Sequence, residues 1–257
     1  MMNGMIRYEV LLLLLVVGCV SPDPPRDPVA VLECSSEMLV VEDDLPYLAE
    51  DSLLIDSYRQ RYSREMEAAV GQAARTMDID YSGESLLGNF SADALKEIVE
   101  QLFEAETDMA LINQGALRAP IRQGTVSVGD LYTTYAFDNF LCMIDVRGRD
   151  IKTVFSHFGE LAHAIAGASL RIEDGVLTEV KIGGKPIEDD RLYRIATIDY
   201  IAEGNNNCEA LRNAEAMRPS YDLLRDEMVS YVKAHEARGE QLDAQLDERI
   251  VIIRPAE

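Results

Sequence analysis

The chain has 257 residues, 47% of them hydrophobic, with 46 acidic against 24 basic residues and a formal charge of -22. That is enough apolar material for one sizeable core, which excludes a disordered chain. So negative a surface repels phosphate backbones and anionic headgroups, and nucleic acid is therefore not an expected partner.

Residues 1–18 carry Arg7 and run into VLLLLLVVG, too short to span a bilayer but suited to the apolar region of a secretory signal. Gly18 directly before Cys19 makes LVVGC resemble the site at which bacterial lipoproteins are cleaved and acylated, so Cys19 is the expected lipidated residue. An ordinary signal peptide with an incidental cysteine is the alternative. VSPDPPRDPVA then reads as an extended tether, so residues 19–33 are assigned to lipidated cysteine and linker and residues 34–257 to the folded domain. The expected location is the bacterial cell envelope, periplasmic or outer-surface, with the membrane engaged only through the lipid.

Within the domain, EMLVVED reads as a strand and EDSLLIDSYRQRYSREMEAAV as a long amphipathic helix, with Leu54, Tyr58, Tyr62, Met66 and Ala69 on one face. A second helix is expected after Ser91, with Leu95, Ile98, Val99, Leu102 and Phe103 on one face and Ser91 or Asn89 as N-cap. DMALIN is a buried strand, SVGDLYTTYAF a short helix or turn, NFLCMIDVRG a strand with alternating faces and GRDIKTVFSHFGEL a helix. SLRIEDGVLTEVKIGGKPI reads as a hairpin turning at Asp174-Gly175, with a second turn at Gly183-Gly184-Lys185-Pro186. LYRIATIDYI is a strand, YDLLRDEMVSYVKAH a helix and RIVII a closing strand. Hairpins mixed with helices predict an α+β domain with a mixed sheet and packed helices.

The usual hydrolytic constellations are missing. His157 and His163 stand six apart, which misses the spacing that puts two ligands on one helix face, and no DxH, GNHE, HExxH or GxSxG occurs. Cys34, Cys142 and Cys208 form no CxxC pair, so they read as buried thiols, a single disulfide being the alternative. Asp43-Asp44 and Asp189-Asp190 read as solvated turn acids. Binding-type turns do recur: Gly88 and Asn89 before a helix, Asn113 and Arg118 either side of a glycine turn, Phe137 with Asn139, and Tyr200 ahead of GNNN. Two aromatics near turns, with amides and an Arg, suit a planar ring with a polar edge.

ESLLGNFSADAL, ALINQGALRAPIRQGTVSVGDLYTTYAFDNFLCMIDVRGRDI, GKPIEDDRLYRIATIDYIAEGNNN and DERIVII, in that order, resemble the C-terminal, substrate-binding domain of the 5'-nucleotidase family over roughly residues 50–253. The resemblance implies that Phe137 and Tyr200 stack a base, Asn139 reads its edge, Arg118 meets the phosphate, and Asn113 and Gly115 shape the turn presenting it. Asn206 falls where the family holds the ribose with an Asp, Cys208 where an aromatic often closes that motif, Gly83 where a basic residue is frequent, and Asp138 where the pattern has Gly. Losing a charged hydrogen bond costs about 1.5–3 kcal/mol, so affinity for a nucleotide is expected to be reduced.

The family's metals and hydrolytic residues belong to an N-terminal metallophosphoesterase domain, so no catalytic residue and no metal or other cofactor is expected in this chain. The resemblance thus implies the nucleotide- or nucleoside-binding half of a split phosphohydrolase in nucleotide catabolism, with divalent metals held by a separately encoded metallophosphoesterase. A non-catalytic ligand-binding or interaction lipoprotein that retains only the fold is the alternative.

Overall fold

The structure, a computed structural model, describes residues 49–254, and from Ala49 onward the chain forms one compact unit. The expected signal segment, Cys19, the tether, Cys34 and the strand expected in EMLVVED lie outside the described residues.

Helix α1 (Ala49–Met66) leads into β1 (Ala69–Ala73), α2 (Leu86–Phe103), β2 (Met109–Ile112), β3 (Gly124–Ser127), α3 (Val128–Thr134), β4 (Phe140–Arg147) and α4 (Gly148–Ser156). There follow β5 (Ala164–Ala166), β6 (Ala168–Glu173), β7 (Val176–Ile182), β8 (Lys185–Pro186), β9 (Leu192–Ile198), α5 (Asp199–Ala202), β10 (Ala216–Leu223), α6 (Leu224–Ala237) and β11 (Ile250–Ile253). The main sheet is ordered β10-β4-β9-β2-β5, with β2 and β9 parallel and every other neighbouring pair antiparallel. A four-stranded sheet, β11-β6-β7-β8, and the β1-β3 pair complete an α+β architecture with mixed sheets and packed helices.

Local chemistry explains several elements. The β6–β7 hairpin turns on Asp174 and Gly175, both with positive φ (51° and 79°), which a two-residue turn of this hand requires. Ser127 caps α3 in a reciprocal box with Asp130. Gly88 lets α2 approach the main sheet, since a Cβ there would stand 3.1 Å from the Ala164 Cβ and 2.7 Å from the Ser85 hydroxyl.

The structure corrects several expectations. Helix α2 begins at Leu86, five residues before Ser91: Ser85 is its N-cap, accepting from the Gly88 N–H at 3.0 Å, while Asn89 and Ser91 are buried inside it. Asn89 donates to Glu84 and to the Gln245 carbonyl, and the Ser91 hydroxyl is bonded to the Tyr135 hydroxyl, so neither is free to cap. Helix α1 stops at Met66 because Ala69 and its successors pair with β3. Its apolar stripe is not buried: Leu54, Tyr58 and Tyr62 remain 60%, 63% and 60% exposed. Strand β4 does not alternate, and Leu141–Ile144 are all buried because it lies between β9 and β10 with α2, α4 and α5 packed on it. Helix α4 ends at Ser156, and Tyr221–Leu223 belong to β10, a strand that periodicity does not announce. Lys185-Pro186 pairs as β8, so the second turn is Gly183-Gly184 alone.

Removing the cap of α2 tests this boundary. Ser85→Ala is expected to lower the unfolding free energy by about 1 kcal/mol in urea titrations, the ordinary value of an N-cap side chain.

Candidate functional site

The sheet register brings three chain segments to one edge. Strands β2 and β9 run parallel, with Met109 opposite Ile195, so both end on the same side. Strand β4 runs the other way with Leu141 opposite Ile198, so its beginning lies beside their ends. The segments carrying Asn113, Phe137 with Asn139, and Tyr200 of α5 with Asn206 therefore meet there. They line a cleft of about 210 Å³ with Gly115 and Ala116. Six of the seven expected ligand residues thus share one cleft. The seventh, Arg118, stands beside it, exposed, with its guanidinium carbon 5.8 Å from the Phe137 ring centre.

The two rings are presented to solvent, Phe137 being 48% and Tyr200 41% exposed. The floor is polar. Asn113 is 4% exposed and its amide oxygen has no hydrogen-bond partner, an unmet acceptor of a kind that folded proteins rarely keep without use. A Cβ at Gly115 would stand 3.3 Å from the Asn113 amide nitrogen and 3.8 Å from that of Asn206, so glycine keeps both amides accessible. The Tyr200 hydroxyl donates to Asn206 Oδ1 at 3.2 Å, and Asn205 Nδ2 donates to the Tyr200 carbonyl at 2.8 Å. Gly204, Asn206 and Asn207 all have positive φ, a conformation that Gly and Asn tolerate best.

Each departure from the family pattern has a local consequence. Asp138 does not leave a bare charge beside the cleft, because Arg225 of α6 pairs with it at 2.6 Å while lying over the Tyr132 ring at 5.2 Å. Tyr132 in turn donates to Asp226 at 2.7 Å, so α3, α6 and the Phe137 loop are tied together. At Gly83 a Cβ would meet nothing within 4 Å, leaving room for the larger residue of the pattern, and its carbonyl accepts from Gln114 Nε2 at 2.7 Å. Cys208 is fully buried and its thiol is pushed up to about 12 by burial, as is that of Cys142, so neither is a nucleophile at neutral pH.

Sequence reasoning missed two supporting residues. Arg225 carries no motif at all. His163 sits in the apolar run ELAHAIAG, which signalled burial without signalling a task. It is 2% exposed, its Nε2–H donates to the Asn206 carbonyl at 2.8 Å, and its Nδ1 has no partner. Burial holds its pKa below 6.5 against the opposing pull of the Asn206 and Ala162 carbonyls. A second cleft, between α2 and α6 and lined in part by Glu97, Tyr231 and His235, holds none of the expected residues. Among the described residues no three His, Cys, Asp or Glu side chains gather as a metal site, and no helix is long and apolar enough to cross a membrane.

The family model of the 5'-nucleotidase C-terminal domain matches residues 67–213, more than half of the chain. The chain belongs to this family. It is 25% identical over 197 residues to "Endonuclease YhcR" of Bacillus subtilis, covering 72% of this chain and 16% of the relative. It is 32% identical over 117 residues to a 5'-nucleotidase of Vibrio vulnificus, covering 42% of this chain and 21% of the relative. The 5'-nucleotidase precursor of Thermus thermophilus superposes with a TM-score of 0.70 at 21% identity, over 81% of this chain and 43% of that one, which shows the shared fold. The chain thus spans about a fifth or less of these two curated relatives.

The His163 environment yields a pH prediction. Because its folded pKa lies below 6.5, the unfolded chain takes up a proton first as pH falls. The stability linked to His163 is thus fully present above pH 6.5, declines below it, and levels off only once the folded pKa is passed. Thermal unfolding between pH 7.5 and 5 should therefore fall more steeply in wild type than in His163→Gln, and equal slopes would contradict the assignment.

Proposed function

We propose that this domain is the nucleotide- or nucleoside-binding half of a 5'-nucleotidase-type phosphohydrolase in nucleotide catabolism, working with a separately encoded metallophosphoesterase that holds the divalent metals and carries out hydrolysis. One observation carries the reading: a single cleft combines two exposed rings, one on the loop before β4 and one on α5, with a buried, unpartnered amide oxygen, and a guanidinium stands at its rim. In this reading Phe137 and Tyr200 sandwich the base, whose planar faces match ring stacking whatever its identity. Asn139 and Asn113 hydrogen-bond its polar edge. Asn206, uncharged where the pattern has Asp, serves the ribose hydroxyls more weakly than a carboxylate would. Arg118 meets the phosphate with a planar fork suited to two oxygens. The relatives named a 5'-nucleotidase and an endonuclease support a phosphate-ester substrate.

The domain's part in catalysis is positional. In this reading it supplies binding energy and orientation, and the partner supplies the metals. Anchoring through Cys19 in the cell envelope belongs to the same reading, since two halves tethered to one membrane meet at raised effective concentration.

Three measurements test this. Calorimetric titration of nucleosides and nucleoside monophosphates should detect binding to wild type, and Phe137→Ala or Tyr200→Ala should weaken it roughly 5- to 100-fold, the value of one stacked base. Metal-dependent hydrolysis of nucleoside monophosphates should rise when this chain is added to its metallophosphoesterase. If it does not rise although binding is present, the alternative of a non-catalytic binding lipoprotein holds, as the uncharged Asn206 would favour. Metabolic labelling with palmitate should mark the wild-type chain and leave Cys19→Ser unmarked.

A further inference from the structure

We propose that His163 is a positioning residue of the ligand cleft, fixing the Asn206 loop against the strand that ends at Asn113; this rests on the reading of the cleft as a nucleotide site. The Asn206 loop is tied at its two ends, by the Gly204 N–H to the Ile201 carbonyl at 2.9 Å, by the Asn205 side chain to the Tyr200 carbonyl at 2.8 Å and by the Leu211 N–H to the Cys208 carbonyl at 2.8 Å, so what remains is to hold its middle. Asn206 and Asn207 are consecutive non-glycine residues in the left-handed region, at φ 56° and 61°, which asparagine adopts as a single residue and not ordinarily twice in succession. The Tyr200 hydroxyl reaches only the Asn206 side chain, the group a ligand would compete for. The backbone of the loop is held from below instead, where the Asn206 carbonyl accepts from His163 Nε2 at 2.8 Å and from the weak donor Cys208 Sγ at 3.5 Å.

The place of His163 in the fold makes this anchor a link between two walls of the cleft. It directly precedes Ala164, which pairs with Ile112, the last residue of β2 before Asn113. One ring thus ties the loop of Asn206 to the strand pair that aims the unmet Asn113 oxygen. The ring itself has no freedom to wander: it is 2% exposed and packs edge-on against Phe158 at 5.3 Å between ring centres. With Nε2–H committed to a carbonyl, the neutral ring carries its single proton on that nitrogen, the tautomer assigned from the partner it faces. The requirement at this position is therefore a buried donor at the Nε2 place, which a glutamine amide can supply and an aliphatic side chain cannot.

The test uses the full chain as wild type, His163→Gln and His163→Leu, with adenosine monophosphate and adenosine as probes in calorimetry and with hydrogen exchange of residues 204–208 in the absence of ligand. The Leu variant should bind about tenfold more weakly, with faster exchange confined to residues 204–208, and the Gln variant should recover both to within about threefold of wild type. A folded Leu variant that binds like wild type overturns the proposal, as does a Gln variant no better than Leu. Exchange that rises equally through β2 and β9 also overturns it, because that marks general loosening and not loss of one loop. If the Leu variant does not fold, His163→Asn takes its place, since its shorter amide does not reach Nε2's position. If wild type binds neither probe, the nucleotide reading fails by itself, and the exchange pattern alone decides whether His163 holds the loop.

Discussion

The parallel pairing of β2 with β9 is the constraint on which the cleft depends. Antiparallel neighbours send successive loops to opposite edges, whereas two parallel strands end together, and here each end opens into a loop bearing candidate ligand groups. Strand β4, antiparallel to β9 and starting beside its end, adds the Phe137 loop to the same edge. The strands that set this geometry are deeply buried where they pair, with Met109–Ile112 and Leu141–Ile144 all enclosed. Burial of this kind fixes register, since a slip of one residue would turn apolar side chains to the wrong face. The rigid part of the site is thus the sheet, and its chemistry is carried on short loops.

Polar groups at the cleft divide into those already satisfied and those left open. Arg225 with Asp138, Tyr132 with Asp226, Gln114 Nε2 with the Gly83 carbonyl and His163 Nε2 with the Asn206 carbonyl are paired and join segments distant in sequence, while Gln114 Oε1 and His163 Nδ1 stay open. The Asn113 oxygen is buried and open. In a chain of charge -22, replacing the pattern's acid by Asn206 and pairing Asp138 with Arg225 both limit the negative charge beside the cleft. For an anionic ligand this matters, because carboxylates at short range in a half-buried pocket repel phosphate more effectively than distant surface charge screened by salt.

Helix α1 shows how far periodicity carries. Its apolar spacing named the helix, yet Leu54, Tyr58 and Tyr62 are more than half exposed, because the contacts of this helix within the unit are made mainly with α3. Periodicity reports which face is apolar and is silent on what covers it. The same gap explains β10, whose residues alternate in exposure but include Pro219, a residue that reads as a strand breaker until an edge position accommodates it.

Much of the site was legible in the residues: glycine turns, aromatics beside amides and one Arg are local chemistry, and their order along the chain carried the family resemblance. The α+β class followed from hairpins at Asp174-Gly175 and Gly183-Gly184 standing among amphipathic helices. The supporting contacts were not legible, since Arg225 and His163 act through partners 87 and 43 positions away. Spacing encodes what one element presents to its own neighbourhood. Which strands run parallel, which helix ion reaches which loop, and which buried ring holds a carbonyl are decided when distant segments pack, and there the tertiary structure alone supplies the answer.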